Sequence, residues 1–522
     1  MTNGNSLQSQ SISPAHDGLT GPEANTNDAP ENVASEVTAQ AANDATVSSS
    51  GGGSGDAPPP EQGPSHSSGP KKEPNAKEPA LARLAQRFVR RVDDMRQAAL
   101  IALPAIATHL QEKYAEYGAI LKQYETGAEG TQRTLKIPDG IHERLKVMSA
   151  LTGVERIHES KMLPNMTRSL FVGLFSEFDA FIGHLLGTLY DLKPELVKGI
   201  NKQFSFPEIL KFDSIETIKR DAIEKEIDSF RRESYIDQFA LLESKFKITT
   251  LTKFPEWTEF VEMSQRRNLM THNDGVVSDQ YITNCKGQKC ALPKGTAVGN
   301  QLEIDPKYFA RACHIVSVVA FMLTYTLWRK ALPKDSEAAN TSIGSSVYEW
   351  LHLKHWALAA RLGEFSLARE MVAEAEEIDL CIRTVNLAIA YKKCDRKSDV
   401  ARILNSRDWT AAIREFKLAN AILNDEHEKA AAMMMMIGQS GEIMDQDSYH
   451  QWPLFIDFRE QKEFLDAYRT IYGHDFDAGL SRANDSRAIS PAGTGDADAN
   501  SHDNEQPDVK PDALDPPDSE AA

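Results

Sequence analysis

PNMTRSLFVGLFSEFDAFIGHLLGTLYDLKP, residues 164–194, is the stretch on which the fold class turns. Leu170, Leu174, Phe178 and Phe181 recur at helical spacing, and Pro164 suits a first turn while Pro194 marks the stop. So apolar a helix belongs in a core. Glu177, Asp179 and His184 interrupt the apolar run, and a carboxylate there either sits on a solvated side or faces a cation, because burying it alone is costly.

Helical patterning continues on both sides. Upstream, residues 81–124 read as one or two helices with Pro104 the main interruption, and a further helix follows Pro138-Asp139-Gly140 as far as Leu151. In RLAQRFVRRVDDMRQ the arginines alternate with apolar residues. This is the basic solvated side of a bundle or arm, with an RNA or membrane contact as the alternative. Downstream, Asp213-Ser214 caps a charged helical stretch to Phe246, and Pro255 opens EWTEFVEMSQRRNLMTH, which His272-Asn273-Asp274-Gly275 ends. Residues 276–304 read as a small hairpin or ordered loop with YITNCKGQKC as its turn, followed by a long helix from Tyr308 to Pro333.

The C-terminal part differs in texture. Ala359, Ala390 and Ala421 stand 31 residues apart, as do Val372, Ile403 and Met434, which predicts about three stacked helical hairpins, a short TPR-like solenoid over residues 345–476. The aromatic-rich segment Tyr449–Phe476 would cap it. The predicted class is all-α: a helical arm at 81–158, a bundle at 159–335, then the repeats.

Residues 1–80 and 481–522 are rich in Ser, Asn, Gly and Pro and read as disordered tails. Each carries 10 acids against 3 bases, so of the net charge of −18 only −4 belongs to the part between them. A nearly neutral body does not exclude an RNA substrate. Five cysteines in 522 residues suit a reducing compartment. The N-terminus lacks a signal-peptide pattern, and the apolar run Ile315–Leu323 is short for a membrane span. A cytoplasmic protein without a membrane partner is expected. Cys285 and Cys290 lack a second nearby pair, so no metal is expected. No phosphate loop, dinucleotide fingerprint, HExxH or serine elbow is present, and no cofactor is expected.

One cluster carries chemistry: Arg266, Arg267, Asn268 and His272 at a helix end. Asn268 and His272 share a face at i and i+4, and the long side chain of Arg267 reaches back toward the imidazole. An imidazole that titrates near neutrality with a forked, permanent cation suits phosphodiester chemistry. Taken singly, such residues are more often solvated arginines and a dipole-favoured histidine.

The run Arg267-Asn268-Leu269-Met270-Thr271-His272 resembles the signature of the HEPN superfamily. The resemblance covers residues 160–333, with FSEFDAFIGHLLG before the motif, Glu303 to Tyr308 after it, and a closing helix ending in Leu327-Trp328. It implies a helical bundle of the bacterial abortive-infection or defence type, many of whose members are metal-independent endoribonucleases acting as homodimers. On that resemblance His272 is the general base or acid, Arg267 clamps the phosphate, and Asn268 orients His272 or the ribose. Arg266 adds electrostatic help, and Asp179 or Glu177 holds the arginine. Two His272 side chains would face one cleft, with the helices at 164–191 and 256–272 as the interface. The alternative is a non-catalytic interaction scaffold whose repeats engage a protein partner.

Overall fold

A computed structural model describes residues 78–129 and 132–477. The expected tails lie outside the described residues, apart from 78–80. The described part is mostly helical: α1 (Ala80–Lys122), a hairpin of β1 (Glu125–Glu129) and β2 (Gln132–Leu135), α2 (Ile141–His158), α3 (Met162–Leu192), α4 (Phe206–Ile209), α5 (Ile215–Arg232), α6 (Tyr235–Phe246), α7 (Trp257–His272), α8 (Asp279–Gly287) and α9 (Pro306–Ala331). There follow α10 (Ser336–His352), α11 (Trp356–Ser366), α12 (Glu377–Lys393), α13 (Lys397–Leu404), α14 (Arg414–Leu423), α15 (His427–Ile437), α16 (Gln446–Gln451) and α17 (Lys462–Tyr472).

The chain divides into two compact units. One runs through Trp350 and adds Trp356–Arg407; the other joins Leu351–His355 to the chain from Asp408 onward. In the first unit α9 is central, with Ile315, Val316, Val318 and Val319 fully buried, as a helix apolar on all sides requires. Asp305 caps it by accepting from the Tyr308 N–H (2.6 Å), and Pro306 occupies its first turn. Helix α3 packs on α1, α5, α7 and α9, burying Leu174, Phe178 and Phe181, whereas Leu170 is only partly covered. Its Phe178 meets Phe260 of α7 at 5.2 Å between ring centroids and Tyr235 of α6 at 5.6 Å.

Of the one or two helices expected over residues 81–124 the chain forms one, α1, which continues through Pro104. Two expectations need correction. Residues 276–304 do not form a hairpin: YITNCKG lies in α8, because Ser278 caps the Tyr281 N–H (3.2 Å) and the apolar residues Tyr281 and Cys285 recur at a spacing of four against Leu269 and Val277. One isolated bridge, Val276 to Gln301, is what strand pairing that segment has, and the hairpin of the first unit is β1–β2. Finally, both α9 and the stretch Ile141–Leu192 are long and apolar enough to cross a membrane by length and composition. Ser317 does not interrupt α9 as an apolar helix, and the Thr324 hydroxyl is satisfied by the Ala320 carbonyl at 2.9 Å.

Ala359, Ala390 and Ala421 are all fully buried, on α11, α12 and α14. Helices α12 and α13 pack as a hairpin in the first unit, and α14 and α15 do so in the second. Both hairpins close with an aspartate in the left-handed region, Asp395 (φ 57°) and Asp425 (φ 60°). Each turn is sealed by the same bond, Arg396 N–H to the Tyr391 carbonyl and Glu426 N–H to the Ala421 carbonyl, both 2.9 Å. Residues 367–376, where the first expected hairpin needs a second helix, are turns and bends around Val372. In the second unit α15 packs on α17, beside the buried rings of Tyr449, Phe455, Phe464 and Tyr468.

Candidate active site

The C-terminal end of α7 is held by α3 at two points. Arg168 donates to the Met270 carbonyl and to the Asp274 carboxylate, placing a cation where the helix leaves its carbonyls unpaired. Three turns along the same face of α3, Asp179 accepts from Arg267 Nη2 at 3.2 Å. The chain then turns sharply: Asp274 (φ 48°) and Gly275 (φ 80°) are left-handed, and the Gly275 N–H returns to the Leu269 carbonyl at 3.0 Å. A Cβ on Gly275 would stand 2.6 Å from the Leu302 carbonyl oxygen, so this close approach requires glycine. His272 is thereby left exposed at the helix end.

Asp179 joins two elements. Its other oxygen accepts from the Tyr235 hydroxyl at 2.6 Å, at the first residue of α6. Burial, and then the Asp179 charge, push the Tyr235 phenol well above its ordinary range, so at neutral pH it is a donor. Arg267 also donates to Asn268 Oδ1 at 3.2 Å, while its Nε is buried without a partner.

These groups open on one cleft of about 640 Å³. Asp179, Arg267, Asn268 and His272 line it, together with Arg231 and Arg232 from the end of α5. Both of these arginines are exposed. The Arg231 stem lies 3.4 Å from where a Cβ on Gly183 would stand, one turn of α3 beyond Asp179. Three guanidinium groups and an imidazole thus face one space, against the carboxylates of Asp179 and Glu233.

Two of the anticipated residues do not belong to it. Arg266 turns into the core, where its Nε donates to Glu262 at 2.8 Å and its guanidinium lies 4.1 Å from the Tyr308 ring centroid. Glu262 is buried and also accepts from the Tyr281 and Tyr308 hydroxyls, each at 2.6 Å. Arg266 is therefore a structural cation, and the pairing was readable as Glu262 and Arg266 at i and i+4. Glu177 pairs with Arg91 of α1 at 2.8 Å, because two positions from Asp179 is about 200° around α3. Arg231, Arg232 and Arg168 were not anticipated, since nothing local says that their helices meet this one.

Cys285 and Cys290 are neighbouring free thiols, with the Cys290 N–H on the Cys285 carbonyl at 2.8 Å. Among the described residues no group of three or more His, Cys, Asp or Glu side chains is arranged to hold a metal ion. Comparison with known proteins adds no identification: no family's sequence profile, no curated protein and no solved structure matches the chain.

Proposed function

We propose that this chain is a metal-independent endoribonuclease of the HEPN type. The observation that supports the reading best is the cleft in which Arg267, Asn268 and His272 share one open space with Arg231 and Arg232. Cleavage proceeds by attack of a ribose 2′-oxygen on the adjacent phosphorus. His272 takes the 2′-hydroxyl proton, and Arg267, aimed by Asp179, holds the non-bridging oxygens as charge builds on them. Arg231 and Arg232 hold flanking phosphates. The P–O5′ bond breaks, leaving a 2′,3′-cyclic phosphate and a 5′-hydroxyl.

The leaving oxygen needs a proton from a second acid, and a two-fold homodimer supplies it by bringing the partner copy's imidazole to the cleft. The apolar sides of α3 and α7 are covered within the chain by α1, α5 and α9, which favours a dimer formed at the cleft mouth, where His272 is exposed, over one formed through the faces of those helices. In the setting that the resemblance implies, RNA cleavage serves bacterial defence.

The experiment is incubation of the purified protein with mixed RNA in excess chelator, with analysis of the product ends. Cyclic phosphate termini that vanish in His272→Ala are expected. Full cleavage by His272→Ala sinks the assignment. A second reading, a non-catalytic scaffold, is favoured by Met435 and Met436, which are exposed on α15 with Ile443 and Leu465 also exposed in the same unit. Such adaptable side chains suit a protein partner. Absence of any cleavage together with capture of a partner that Met435→Glu/Met436→Glu abolishes would select it.

A further inference from the structure

We propose that the groove between α1 and α3 binds the phosphodiester backbone of single-stranded RNA, as a tract separate from the cleft at His272. The groove measures about 570 Å³, with Arg83, Arg87, Arg90 and Arg91 on its α1 wall, Asp94 at the end of that row, and Glu177 and His184 on its α3 wall. The arginines follow one side of α1, and steps of four residues separate them by about 6 Å along the axis. Arg90 and Arg91 are oriented by Glu349 (2.6 Å) and Glu177 (2.8 Å) yet stay more than half exposed, at 57% and 64%. Arg83 and Arg87 are exposed and have no ion pair among the described residues.

Ion pairing accounts for Arg90 and Arg91, held by Glu349 and Glu177, but folding gives no such reason for Arg83 and Arg87. Like charges at i and i+4 repel, and Arg83 stands just inside the N-terminus of α1, whose first turn holds no carboxylate and whose cap position, Pro79, provides no side-chain cap. These two exposed guanidinium groups are a small cost in the free protein that a polyanion lying along them offsets, and the half-exposed Arg90 and Arg91 continue the row. The choice of RNA over an acidic peptide rests on the ribonuclease reading of the cleft on the opposite side of α3.

The test uses the full chain. Binding of a fluorescein-labelled 20-nucleotide RNA is followed by anisotropy in the His272→Ala background across a salt series, with and without Arg83→Gln/Arg87→Gln. Two lost phosphate contacts should reduce the slope of log K against log salt by about 1.4 and lower the affinity about 25-fold at 0.1 M salt. Arg83→Lys/Arg87→Lys should retain most of the slope, which separates charge from a folding defect. Cleavage of a dinucleotide by the Gln/Gln variant on the native His272 background should be unchanged. An unchanged slope and affinity overturns the groove while leaving the cleft intact; no dinucleotide cleavage by the native protein overturns the cleft. Polyglutamate that displaces RNA stoichiometrically from the native groove but not from the variant makes it a peptide site and overturns the proposal.

Discussion

Removing the Asp179 carboxylate should loosen the α3–α6–α7 junction by an amount that the geometry sets. In Asp179→Ala the buried Tyr235 hydroxyl loses its 2.6 Å charged acceptor and keeps only the Phe175 carbonyl at 3.4 Å. Hydrogen bonds to charged groups contribute about 1.5–3 kcal/mol. The Arg267 pair adds about 0.5 kcal/mol or less, because both side chains are 23% exposed, the bond is 3.2 Å long, and water partly replaces it. A total near 2–3 kcal/mol follows. Asp179→Asn keeps an acceptor for Tyr235 and should cost about 1 kcal/mol. Urea unfolding monitored by circular dichroism gives these differences, and a double-mutant cycle with Tyr235→Phe should return a coupling of about 1–2 kcal/mol. If Asp179→Ala is within 0.5 kcal/mol of the native protein, or the cycle returns no coupling, Asp179 is not the strut described.

Two further changes test other parts of the bundle. Burial, and then the neighbouring Arg311 charge, lower the His314 imidazole to about 4, so in acid the unfolded chain, whose histidine titrates near 6.5, takes up the proton first. Its contribution is fully present above pH 6.5 and lost as the pH falls toward 4; between pH 7 and pH 5 that loss is about 2 kcal/mol. His314→Gln should shrink the pH dependence of the urea midpoint by that amount, and an unchanged dependence refutes the burial argument. Glu262→Gln removes the charge shared by Arg266, Tyr281 and Tyr308, and with Arg266 buried it should cost roughly 3–5 kcal/mol. A loss below about 1 kcal/mol by the same unfolding assay would show that the network relaxes without it.

Local signals carried the element reading furthest. The run opened by Pro255 and ended by His272-Asn273-Asp274-Gly275 became α7, Trp257–His272, because its stop depends on turn residues that act within four positions. The long run after Asp305-Pro306 became α9 for the same reason. Residues 279–287 misled because β-branched residues and glycine suggested a hairpin, while the deciding feature was Ser278 with Tyr281 and Cys285 behind it. The repeat shows a subtler slip. The alanines recur at 31, but the bonded turns recur at 30, from Tyr391 to Ala421 and from Arg396 to Glu426. Small residues mark close packing, whereas the turn fixes the register, so matching alanines aligns the two hairpins one residue out of step.

The site divides along the same line between local and distant causes. Helical geometry alone sorts the neighbours: Arg266 and Arg267 point about 100° apart, and Glu177 and Asp179 about 200° apart, so one member of each pair had to face elsewhere. Glu262, four residues before Arg266, tells which arginine turns inward. Asp179 needs no such help, since it shares a face of α3 with Phe171, Phe175 and Gly183, the residues that meet Tyr308, Phe260 and Arg231. What no window of sequence holds is the joint between α5 and α6. Arg231 and Arg232 reach the cleft only because Ser234 restarts the chain as a new helix beside Asp179, with Tyr235 docked on that carboxylate. The positive character of the cleft is thus a property of three helices meeting, and it emerges only once their packing is known.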